Sequence, residues 1–267
     1  MRIAEVEAIV DDLGGADHLR RVRCAQRLRE EASAEVVEAV IERGLADGRA
    51  NAQAEAARLA GDVGHGASAR ALRALVMDGR RAVRVRKAAA SALGLLGDLE
   101  GIEALEAALG HPDAMFRRAV VEAAGRIGGS RALGLLRSGL GAGVWQVRME
   151  AAVGLGGMPV EVAGEAIEGL MGAVEVEGHD ETAEQMLRSL AELGVRAEGH
   201  RGAVEVALRG HLEPVARWRA SMAAARGLGE LGAVGSMEAL RGALRRDPPL
   251  PVAEQVVWAL GRLSPPG

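Results

Sequence analysis

Apolar residues recur along the chain at i, i+3 and i+7, the spacing that lines one face of an α-helix. The clearest stripes are Ile102/Leu105/Leu109, Leu133/Leu136/Leu140, Ile167/Leu170/Val174 and Met237/Leu240/Leu244. Between them runs a second kind of helix rich in small residues. VRKAAASALGLLG (Val85–Gly97), FRRAVVEAAGRIG (Phe116–Gly128) and VRMEAAVGLGGMP (Val147–Pro159) align without gaps and set Gly94, Gly125 and Gly156 31 residues apart. The same frame fits Ala52–Gly64 and, less cleanly, Thr182–Gly194, Ala220–Gly232 and Val252–Ser264, with Val22–Ala32 a diverged first copy. That predicts eight units, each a helix A, a short turn and a helix B, because a hairpin that cannot bury its apolar face alone buries it by stacking. The turns carry Asp47-Gly48, Asp78-Gly79, His111-Pro112-Asp113 and Arg246-Asp247-Pro248-Pro249. Asp can cap the amides of the next helix and Pro pre-sets its first φ.

The phrase V-R-x-x-A-A-x-A-L-G-x-L-G, preceded in one unit by His111-Pro112-Asp113, resembles the HEAT repeat in its bacterial, bilin-lyase-type form over roughly residues 3–263. The resemblance implies an all-α, right-handed α-solenoid of about eight antiparallel helix pairs, with B helices on the inner curve. It also implies a ladder of Asp and Arg between repeats. Here Asp113 with Arg117 fits that ladder, Arg86 and Arg148 fill the Arg place, and Gln53, Ala183, Ser221 and Ala253 break it. One solenoid domain over 1–264 is expected, with a loose tail at 265–267, where Pro265-Pro266-Gly267 cannot continue a helix. The glycine spacing stretches to 35 between Gly156 and Ala191, and to 38 from there to Gly229.

Composition narrows the function. Trp145, Trp218, Trp258 and Phe116 are the only aromatic residues, and there is no Tyr. A β-sandwich draws on more β-branched and aromatic residues, and a base-stacking nucleic-acid platform needs an aromatic cluster. No apolar run approaches a membrane span. A single Cys24 cannot form an internal disulfide, and the acidic amphipathic start lacks the features of a secretory signal, so a cytoplasmic location is expected.

The six histidines include no H-E-x-x-H, and none is followed by Glu. This separates the chain from the HEAT-like deoxyhypusine hydroxylases, which are marked by His-Glu pairs that hold iron. The Trp, Tyr and Asp constellation of the HEAT-like alkylpurine DNA glycosylases cannot be mapped onto it either. With no phosphate loop, nucleophile elbow or dinucleotide fingerprint, no catalytic residue, metal or cofactor is assigned and a non-enzyme is expected.

Charge and register give the candidate sites. Residues 51–97 carry eight cations against three anions, whereas 159–213 carry four against twelve. Arg80, Arg81, Arg84, Arg86 and Lys87 crowd the start of one B helix, a candidate anion-binding cluster. Superposing the B helices on the Arg place aligns Trp145–Met149 with Trp218–Met222, each an i, i+4 pair on one helix face. Asp180, Glu184 and Arg188 lie between them in repeat six, and Val153, Arg226 and Trp258 share the outermost row. Trp and Met suit adaptable contact surfaces. Two readings of the Trp residues stand: a groove over repeats five to seven for a partner protein or peptide, or core packing against helix A. The function expected is a protein-interaction scaffold. The alternatives are an enzyme subunit of the bilin-lyase kind, or a nucleic-acid- or anion-binding solenoid using Arg80–Lys87.

Overall fold

The computed structural model describes residues 3–212 and 217–264; the expected tail at 265–267 lies outside them. Among the described residues there are sixteen α-helices and no strand. They fall into two compact units, residues 1–127 and 128–267. The first contains α1 (Val6–Gly14), α2 (His18–Glu31), α3 (Ala34–Ala46), α4 (Ala50–Val63), α5 (Ala69–Met77), α6 (Val83–Leu96), α7 (Gly101–Ala108) and α8 (Ala114–Ile127). The second contains α9 (Gly129–Leu140), α10 (Trp145–Gly156), α11 (Ala163–Val176), α12 (Asp180–Arg196), α13 (Arg201–Gly210), α14 (Trp218–Leu231), α15 (Met237–Arg245) and α16 (Leu250–Leu263). Odd-numbered helices are the A helices of the eight pairs and even-numbered ones the B helices.

In the first unit α4, α6 and α8 pack side by side, and α5 and α7 back them. In the second unit α10, α12, α14 and α16 do the same. The glycine at the twelfth position of α4, α6 and α14 explains why. A Cβ on Gly94 would lie 2.7 Å from Ala123 Cα, one on Gly61 2.9 Å from Ala92 Cα, and one on Gly229 2.9 Å from Ala259 Cα. The period in the sequence is thus the period of helix contact, where hydrogen alone lets two backbones approach. Around it Val85, Ala89, Leu93, Phe116, Val120 and Ala124 are fully buried. Each large aliphatic or aromatic side chain so buried contributes about 1.5–3 kcal/mol against chain entropy.

The turns behave as their composition predicts. Asp17 caps α2 through the amides of Leu19 (2.9 Å) and Arg20 (3.2 Å). Asp47 accepts from the Arg49 amide, Asp78 from Arg80 and Asp113 from Phe116. Gly64, Gly97 and Gly232 close α4, α6 and α14 in the left-handed conformation. The stretched glycine spacing is taken up by a 3-10 turn at Val160–Val162 and by the 17-residue α12. The diverged first copy packs differently: α1 lies against both α3 and α4, and α2 reaches α4 mainly at its end, through Arg29–Asp62 at 2.5 Å.

The Asp–Arg ladder needs correction. Asp113 and Arg117 form no ion pair with each other; Asp113 caps α8 and Arg117 donates to the carbonyls of His111 and Pro112. Arg21 bonds Gly15 and Ala16 at the same backward offsets, and Arg148 bonds Ala142. The arginine at the start of a B helix therefore closes its own hairpin turn, because a guanidinium can satisfy carbonyls left open at the end of helix A. Gln53, in the Arg place of α4, does so with its amide, donating to the Leu45 carbonyl at 3.2 Å.

Candidate partner-binding site

The candidate residues of the second unit lie on adjacent B helices, and none of the ten is buried. The Trp residues are therefore not ordinary core, yet they are not equally free. Trp145, at the start of α10, is half-buried with its ring stacked on His179, 4.3 Å between centroids and 9° from parallel. Trp218 is also half-buried, with the Arg219 guanidinium 4.8 Å from its ring centre. Their partners Met149 and Met222 are half-buried as well, and Val153 is exposed.

Glu177, which the sequence reading passed over, fixes the Trp145 end. It lies in the turn before α12, 1% exposed at its side chain, and takes both arms of Arg148 at 2.7 Å. It also accepts the His179 amide at 2.8 Å, and its carbonyl accepts Arg217 at 2.7 Å. Burial works against its ionisation, but the Arg148 fork and the His179 amide outweigh that and hold the carboxyl below its ordinary value. The pair ties α10 to the turn that carries His179, and so positions the ring that covers Trp145. A signal was present: Glu177 occupies the turn-acid place of Asp47 and Asp78, each accepting the amide two residues on.

Asp180, Glu184 and Arg188 do not act as one group. Asp180 Oδ1 is buried and accepts no hydrogen bond among the described residues. Glu184 pairs with Arg188 at 2.8 Å and with Arg219 of α14 at 3.4 Å. Arg226 pairs with Glu230 at 2.8 Å. Among the described residues, no three His, Cys, Asp or Glu side chains form a group that could hold a metal ion.

Trp258 belongs to a different place, the C-terminal ends of these helices. There Gly156 and Gly157, then Glu192, Val195 and Arg196, then Glu230, then Trp258 and Arg262 line an open groove of about 730 Å³. Arg196 donates to the carbonyls of Gly156 and Met158, and Arg262 to that of Gly229, so two of its cations serve helix ends. Trp258 is 39% exposed, and Val153 and Val195 are exposed apolar neighbours in sequence position on α10 and α12. A smaller hollow of about 130 Å³ between α12 and α14 shares Glu192 and Glu230 with the groove. This groove thus lies toward Trp258, and its lining includes neither Trp–Met pair.

The basic cluster of the first unit is smaller than its sequence suggests. Arg86 is 9% exposed, donates from Nε to the Val76 carbonyl at 2.8 Å, and lies 4.7 Å from the centre of the Phe116 ring. Arg81 pairs with Asp78 at 3.0 Å and donates to Gln53. These two hold the fold and are withdrawn from the anion-binding cluster. Arg80 and Arg84 remain exposed and Lys87 half-exposed.

Rows of paired helices with turn-closing arginines and glycine-mediated B-helix contacts define an all-α solenoid. Residues 79–156, from the turn before α6 to the end of α10, match the family model for HEAT repeats, and that stretch is HEAT repeat in sequence as well as in build. No curated protein matches the chain as a relative. Among solved structures the chain is similar to E. coli YibA, at 15% identity and a TM-score of 0.64 over 96% of this chain and 91% of that one. It is also similar to the karyopherin Kap121p, at 12% identity and a TM-score of 0.60, covering 98% of this chain and about a third (34%) of Kap121p. Human deoxyhypusine hydroxylase overlaps 98% of this chain and 96% of its own at 21% identity, with a TM-score of 0.40. For YibA and Kap121p, at these identities, the likeness is one of fold. Among the described residues no helix is long and apolar enough to cross a membrane.

Proposed function

We propose that this chain is a non-catalytic, cytoplasmic scaffold that holds a segment of a partner protein along the B helices of its second unit. The observation that carries this reading is the open groove of about 730 Å³ across α10, α12, α14 and α16, walled by the exposed Trp258. A partly exposed Trp concentrates binding energy, since it buries a large rigid surface at little entropic cost, and the Arg262 guanidinium 5.3 Å from the Trp258 ring centre holds that ring in place. Glu192, exposed in the lining, favours a partner with a basic as well as an apolar side chain, while Glu230 is held by Arg226. The half-buried Trp145 and Trp218 stand at the starts of α10 and α14, outside the lining of this groove. Kap121p, solved bound to Pho4p and to the SUMO protease Ulp1p, illustrates that a solenoid of this fold can hold a protein partner. It lends the fold to this reading, not the residues.

The test is capture from native cell extract by the immobilised chain. Wild type should return a stoichiometric protein, and Trp258→Ala should weaken its retention by about 30-fold, the equivalent of a hot-spot side chain of roughly 2 kcal/mol. Leu19→Ala, which removes an exposed side chain from the first unit, should change nothing. Undiminished capture by Trp258→Ala would refute the groove, and no stoichiometric partner would refute the scaffold.

A further inference from the structure

Among the described residues most arginines are engaged by carboxylates or backbone carbonyls. On α6 and α8 of the first unit, cations without such partners gather on two adjacent helices. Arg84 and Lys87 on α6 and Arg118 on α8 have no hydrogen-bond or ion-pair partner among the described residues, and neither has the side chain of Arg80 just before α6. The nearby acid of α8, Glu122, is occupied by Arg126 at 2.7 Å. The register between the two helices is fixed by Arg86 over Phe116 and by the Gly94–Ala123 approach, which sets Lys87 and Arg118 at equivalent places on adjacent helices. Arg84 and Lys87 are i, i+3 neighbours, as are Met115 and Arg118, so each pair shares one helix face. Met115 is 47% exposed. The surface therefore combines three or four uncompensated cations with one adaptable apolar side chain.

That combination discriminates between polyanions. Nucleic acid would gain from an aromatic face for its bases, and the one aromatic residue of this unit, Phe116, is fully buried. A carboxylate-bearing amphipathic segment uses both parts of the surface, its acids on the cations and an apolar side chain on Met115. We propose that the α6–α8 face docks an acidic, amphipathic segment of a partner protein, with Arg84, Lys87 and Arg118 receiving its carboxylates and Met115 its apolar side chain. This surface is separate from the Trp258 groove and carries the opposite preference in charge.

The probe is a fluorescein-labelled peptide rich in Glu with Leu at helical spacing, followed by anisotropy on the full chain, beside a single-stranded DNA of matched charge. The peptide should bind more tightly than the DNA and weaken as salt rises. Lys87→Glu with Arg118→Glu should weaken it by about tenfold, a scale set by two exposed ion pairs made repulsive. Arg70→Glu, which reverses an exposed cation on α5 of the same unit, should leave it within about twofold. Lys87→Gln with Arg118→Gln serves as the milder pair and should weaken binding in the same direction with an unchanged melting temperature. Met115→Ser should weaken the peptide and leave the DNA unaffected. Equal loss with Arg70→Glu, no loss with either double variant, or DNA binding as tight as the peptide would each overturn the proposal.

Discussion

Replacing Glu177 with Ala removes the acceptor of two 2.7 Å hydrogen bonds from Arg148 and one from the His179 amide. Breaking a fully buried pair from one side costs about 3–5 kcal/mol. Arg148 is 21% exposed and keeps its bond to the Ala142 carbonyl, so its guanidinium can lean toward water and the expected loss falls to about 2–3 kcal/mol. Arg148→Ala is the harsher change near neutral pH, because it leaves a carboxylate that is 1% exposed with only a backbone amide to hold it. The pair should therefore be asymmetric, with Arg148→Ala costing more by about 1 kcal/mol, and the double variant should recover at least about 1 kcal/mol of the summed losses. The measurement is urea unfolding followed by Trp145 fluorescence in a Trp218→Phe, Trp258→Phe background. Far-UV circular dichroism should run in parallel, since a stack of repeats need not unfold in one step. The folded carboxyl lies below its ordinary value of 4.5, so the unfolded state takes up the proton first as pH falls. The pair's contribution is complete above that value and disappears as pH drops through the folded one. A coupling below about 0.5 kcal/mol, or Arg148→Ala milder than Glu177→Ala, would refute the account of this pair.

Two further outcomes follow from the packing. Gly94→Ala places a methyl 2.7 Å from Ala123 Cα, so overpacking of about 1–3 kcal/mol should outweigh the roughly 1 kcal/mol gained in helix propensity and lower the melting temperature. Gly48→Ala, where a Cβ meets nothing within 4 Å, should shift it little. His211 is largely buried at the end of α13, and burial pushes its pKa down, Arg217 adding to that and Glu175 at 3.4 Å opposing it. Its neutral form is favoured in the fold, so its contribution is intact above the ordinary value of 6.5 and lost as pH falls below it, where the unfolded state binds the proton first. His211→Gln should flatten the dependence of melting temperature on pH in that window. An unchanged slope would show that His211 is not its source.

The helix pairs, their number, the capping aspartates and the small-residue stripes were legible because each is a local property. A 3.6-residue period, an Asp before a helix and a Gly after it act within a few residues of themselves. The 31-residue glycine period was legible too, although its reason, backbone contact between successive B helices, appears only once those helices are side by side. The candidate site was legible in part. The shared register of the B helices marks out Trp258 but does not separate that residue's open groove from the His179-covered Trp145, because the two differ in what packs against them.

What the sequence determined by itself is thus the repeat: which residues make a helix, where each turn falls and which face must be buried. What only the tertiary structure decided is the fate of charges that look alike in one dimension. Arg86 and Arg84 are two residues apart in one basic run, yet one is buried against Phe116 and the Val76 carbonyl and the other faces solvent. Glu177 stands in an acidic stretch with Glu175, yet it alone of the two is sealed beneath Arg148. A helix turns about 100° per residue, so neighbours in sequence meet different surroundings. Phe116 lies about one repeat from Arg86, and Arg148 about one repeat from Glu177, and it is stacking that brings each pair together.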